Sequence, residues 1–121
     1  MDIERHMAMA LGIEASLQKC TSTDYEMLIE GAMLAGTHWL NALLHKLGTT
    51  PPQADVFHSY LLTVNEFRRL AVAAEGPLHA LAAIEDSRVP FVRGNHPGGE
   101  AAAERALELL SVIRATALGS A

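Results

Sequence analysis

The chain has 121 residues, half of them hydrophobic but only 5% aromatic, and nine Lys and Arg stand against fourteen Asp and Glu for a formal net charge of −5. That length makes one domain with a core that needs no cross-links, and the lone Cys20 excludes an intrachain disulfide. An acidic balance without a basic run excludes a general nucleic-acid surface, and no apolar run reaches the roughly 18 residues of a membrane span. The charged start, Met1 to Arg5, lacks the apolar stretch of a leader, so a cytoplasmic location and no membrane association are expected.

In chain order, the first helix is expected from about Asp2 to Lys19, with Ile3, Met7, Ala10, Leu11 and Leu17 on one apolar face. The break at Thr21 to Asp24 offers Thr23 and Glu26 at capping-box spacing. The second helix, about Asp24 to Leu47, carries the strongest pattern. Leu28, Ile29, Ala32, Met33, Ala35, Trp39, Leu40 and Leu43 span a sector of roughly 160°. So wide a face predicts a central helix, with small Gly31 and Gly36 admitting close neighbours. Gly48 and Pro51-Pro52 end it.

A third helix is expected from about Gln53 to Ala74, burying Val56, Phe57, Tyr60, Val64, Phe67 and Ala71, with Leu61 and Leu70 at its margins. Gly76-Pro77 would stop it and open a short helix through about Asp86. Residues 87–99 read as irregular. The last helix runs from about Glu100 to Leu118, with Ala102, Ala106, Leu109, Leu110, Ile113 and Ala117 buried and Glu100, Glu104 and Glu108 solvated. The expected fold is all-α, an up-and-down four-helix bundle with one additional short helix and short connections.

Two groups of residues could bind something. Arg88, Arg93, Asn95 and His96 fall just before Gly98-Gly99 and a helix start, where free N–H groups and two guanidinium groups favour a small anionic ligand. A polar groove would form if His38, Asn41 and His45 on the second helix faced His58, Asn65 and Arg69 on the third. Asp55-x-x-His58 has the spacing of half a carboxylate-bridged metal site, but Glu75-x-x-x-His79 is interrupted by Gly76-Pro77 and makes a poor second half. No metal or other cofactor is therefore assigned, and a metal-dependent enzyme using His38, His45, Asp55 and His58 stays an alternative. Ser16, Ser22, Ser59, Ser87, Ser111 and Ser120 all lack a nucleophile-elbow context.

The Gly- and Ala-rich second helix ending in Leu-Leu-His-Lys-Leu-Gly, with an Arg-containing loop before an Ala-rich last helix, resembles the HEPN family of small helical bundles. The resemblance is one of architecture and covers most of the chain. It implies a dimer that binds a partner or ligand. RNA-cleaving members carry Arg and His four to six residues apart, whereas seven residues separate Arg88 from His96 and two separate Arg93 from it. The expected function is a non-catalytic, homodimeric binding module for a protein partner or small anionic ligand. The alternative is an RNA-cleaving enzyme using Arg88 or Arg93 with His96, or the metal-dependent enzyme.

Overall fold

The computed structural model describes residues 1–119 and is all-helical, with no strand among them; Ser120 lies outside the described residues. The helices are α1 (Ile3–Leu17), α2 (Tyr25–Lys46), α3 (Val64–Arg88) and α4 (Gly99–Gly119). A 3-10 turn at Ser59–Leu61 precedes α3, and a π-helical turn at Val89–Arg93 follows it. No described helix is long and apolar enough to cross a membrane.

Every other helix packs against α2, and α3 also packs against α4. The sequence explains the central position. Leu28, Ile29, Ala32, Met33, Ala35, Trp39, Leu40 and Leu43 are all buried, as expected, and Gly31, Gly36, Asn41, Ala42, Leu44 and His45 bury the remaining sides. The small positions set the contacts. A Cβ at Gly31 would sit 2.2 Å from Leu17 Cδ2, and one at Gly36 would sit 3.1 Å from Ile113 Cδ1. Leu17 therefore lies in a notch of α2, and α4 crosses close to Gly36.

The helix starts differ from expectation. Asp24, not Thr23, stands at the N-cap position of α2 without a side-chain cap, its Oδ2 accepting from the Thr21 backbone N–H at 2.8 Å, and the expected Thr23–Glu26 box does not form. A complete capping box forms instead at α3, where Thr63 Oγ1 accepts from Glu66 N–H and Glu66 accepts from Thr63 N–H. Gly48, at φ 72°, closes α2 as expected.

The third helix is the larger correction. It begins at Val64 rather than Gln53, so residues 51–58 are non-helical and Phe57, Tyr60, Leu61 and Val64 are exposed. The expected break near Gly76-Pro77 is present as a kink that joins two helical segments. The helix runs on to Arg88 across a kink at Ala74, φ −147° and ψ 55°. Pro77 comes three residues after that kink, in the first turn of the second segment, where its missing N–H costs no hydrogen bond. Leu70, Leu78, Leu81 and Ile84 then bury α3 against α2 and α4. The stripe of α4 is close to expectation, with Ala103, Ala106, Leu110, Ile113 and Ala117 buried.

Candidate metal centre

Three chain segments meet near the amino-terminal end of α1. His6 lies on the buried stripe of α1 between Ile3 and Ala10, one turn from each, and is 2% exposed. His38 and His45 lie two turns apart on α2 and point to the same side. Asp55 comes from the connection after α2, and Asn41 holds that connection in place. The Asn41 amide donates to Val56 O at 2.7 Å, and its Oδ1 accepts from Val56 N–H at 2.7 Å. A side chain thus imitates a backbone partner and pins the extended segment against α2.

The geometry is compact. Asp55 Oδ1 accepts from His6 Nε2 at 2.9 Å and from His45 Nε2 at 2.8 Å. Those three atoms lie within 4.8 Å of one another. Behind them, His6 Nδ1 meets His38 Nδ1 at 2.9 Å, while His45 Nδ1 meets Thr50 Oγ1 at 2.8 Å and Thr50 O at 3.0 Å. Asp55 Oδ2 accepts from the Met1 amine at 3.1 Å.

Electrostatics favour a ligating carboxylate. Burial pushes the Asp55 carboxyl up, but the hydrogen bonds from His6, His45 and the Met1 amine outweigh it and hold the pKa at about 2. Burial, and then the neighbouring His6, lower His38 below the ordinary imidazole value, with Asp55 opposing. With His38 neutral, its Nδ1–H donates to His6 Nδ1, and the two Nε2–H groups of His6 and His45 point at one oxygen.

A metal ion could take the place of those two protons. Ligand atoms around an ion with bonds of about 2.0–2.1 Å are roughly 2.9 Å apart in an octahedral site and roughly 3.3 Å apart in a tetrahedral one. The Asp55–His6 and Asp55–His45 pairs already have about that spacing, and the two Nε2 atoms, within 4.8 Å of each other, would have to close around the ion. The outer partners already suit it, since a ligating imidazole needs its far nitrogen held. On binding, the ring protons of His6 and His45 would move from Nε2 to Nδ1, so that His45 Nδ1–H would donate to Thr50 O and His6 Nδ1–H to His38 Nδ1, with the His38 proton moving to its Nε2.

The expected polar groove is not assembled as one surface. His38, Asn41 and His45 belong to the centre or its support. His58 turns away, its Nδ1 2.9 Å from Glu85 Oε2 and its ring stacked on Tyr60 at 4.6 Å. Asn65 is exposed, and Arg69, also exposed, donates to Thr49 O. The helix that was to carry all three starts after His58, which is why they separate.

The expected anion site is divided too. Arg88 is paired with Glu30 Oε1 at 2.8 Å. Together with Arg93, Tyr60, Glu85, Asp86 and Val89 it lines a cavity of about 360 Å³. Asn95 and His96 are exposed, Gly98 borders a different hollow beside Phe91, and Gly99 is buried against Tyr25. Glu85 is 5% exposed and accepts from the Ser59 backbone N–H and hydroxyl as well as from His58. It anchors the 3-10 turn to α3.

Comparison with protein-family models, with curated proteins and with solved structures gives no match for this chain.

Proposed function

We propose that this protein binds one divalent transition-metal ion through His6 Nε2, His45 Nε2 and Asp55 Oδ1, on an up-and-down four-helix bundle. The observation that supports it most is that three ligand atoms fall within 4.8 Å of one another, with the far nitrogens of both imidazoles already held. Two imidazoles and one carboxylate suit zinc or ferrous iron better than calcium or magnesium. Three protein ligands leave a position for water, and an ion so held supplies Lewis-acid, hydrolytic chemistry. His38 and Thr50 orient the ligands, and Asp55 is the most exposed of the three.

Titration of the metal-free protein with Co2+, followed by visible absorption, tests this. One ion per chain is expected, displaced by Zn2+. His6→Gln and Asp55→Asn are each expected to weaken binding at least tenfold while circular dichroism stays helical. Folded wild-type protein that takes up no ion at micromolar metal would end the proposal, as would unchanged affinity in both variants.

A partner-binding role, a homodimer first, is favoured by a separate observation. Phe57, Tyr60, Leu61 and Val64 expose 59–70% of their surface within eight residues of chain, and such a run of exposed apolar side chains suits an interface. Light scattering decides it. A dimer that Phe57→Ser with Leu61→Ser converts to monomer supports the interface, and a wild-type monomer removes it.

A further inference from the structure

Helices α1 and α4 both rest on α2 but meet each other only lightly, through the ion pair of Glu14 with Arg114. Beyond that pair the space between them stays open. It forms a cavity of about 620 Å³, whose floor is Leu17, Cys20, Leu28, Ala103 and Leu107. A smaller hollow of about 180 Å³ shares Leu17 and Leu107 and continues to Leu110 and Glu14. The two adjoin at Leu17, Gln18 and Leu107 and together make a trough, with Glu14 at the end of the smaller one.

Glu100 and Glu104 line the wider part, one helical turn apart, and neither has an ion-pair partner among the described residues. Arg105 engages Glu108 instead, and Glu14 is already neutralised by Arg114. Glu100 lies in the first turn of α4, where the helix dipole partly balances it. Glu104 therefore carries the larger uncompensated charge. An apolar cavity of several hundred Å³ with a few charges of one sign at its edge is the usual form of a small-molecule site, and here the sign is negative.

We infer that the trough between α1 and α4 binds a lipophilic cation, an amine or quaternary ammonium on an aliphatic or aryl body. The body lies over Leu17, Leu28, Ala103 and Leu107, and the cationic head meets Glu104 and Glu100. This site is on the opposite end of α1 from the metal centre and does not depend on it.

The probe is decyltrimethylammonium below its micelle concentration, with decyl sulfate as the anion of equal tail. Methyl resonances of Leu17, Leu28 and Leu107 report binding, and protection of Cys20 from N-ethylmaleimide gives a second reading. The cation is expected to bind at least tenfold more tightly than the anion at low salt. Glu104→Gln, an exposed change, should shrink that preference severalfold, and Ala103→Leu should weaken both ligands by filling the floor. Equal or tighter binding of decyl sulfate overturns the inference, as does the absence of methyl shifts with the cation. Retention of the full preference in Glu104→Gln combined with Glu100→Gln would also overturn it.

Discussion

Asp55 ties the amino-terminal helix to the middle of the chain, and its acidity measures how firmly. Its folded pKa of about 2 lies below the ordinary value of 3.8. The ionised side chain therefore contributes stability that is present above pH ~4 and is lost as pH falls through about 2. Without metal, Asp55→Asn is expected to cost about 2 kcal/mol at pH 7, with the gap narrowing towards pH 3. Urea unfolding across that range reads it, and a pH-independent difference would show that the hydrogen bonds do not set the acidity. The residues of this centre were half legible in the sequence. His38, His45 and Asp55 appear among the candidates because they share helical spacing or a ligand motif. His6 was missed because a search for apolar residues on the α1 face passes over a histidine, although it stands on the Ile3–Ala10 stripe. That position, a polar ring inside an apolar stripe, was the available signal. His58 was misplaced because its partner, Glu85, lies 27 residues away and no spacing rule reaches so far.

At the scale of elements, α2 and α4 were readable because burial and periodicity agree along them, and α3 was not. Val56, Phe57, Tyr60 and Val64 mimic a helical stripe, yet the amide of Asn41 and the carboxylate of Glu85 hold residues 56–59 to other partners. Tertiary hydrogen bonds overrode local pattern. The real start of α3 depends on its capping box, so Thr63→Ala is expected to cost about 1 kcal/mol, visible as a lowered thermal midpoint. The hydrogen bond of Glu66 with the Thr63 backbone, the largest influence on its carboxyl, lowers that pKa. The box therefore weakens as pH falls through that depressed value. The notch at Gly31 sets a second element-scale prediction. Gly31→Ala forces Leu17 to move, at a cost of roughly 1–3 kcal/mol. Adding Leu17→Ala should recover part of that loss, and strict additivity in a double-mutant cycle would refute the contact.

For the whole molecule, the Asn41–Val56 pairing is where fold and site are joined. Asn41→Leu keeps the volume of a buried position but strands the Val56 N–H and C=O. A loss of roughly 1–3 kcal/mol is expected. Because Asp55 is neighbour to Val56, Co2+ affinity should fall by about 10- to 100-fold as well. Stability loss with unchanged metal affinity would show that Asp55 is held by other means. The light contact between α1 and α4 has a different consequence. Helix α1 has close backbone packing with α2 alone, and the face of α2 that receives it, with Gly31 at one end and His45 at the other, is indifferent to which copy of the chain supplies the helix. Two copies could trade their first helices across residues 18–24 and rebuild each notch and each His-Asp cluster from mixed strands of sequence, so that a swapped pair would be chemically indistinguishable, site by site, from two separate chains.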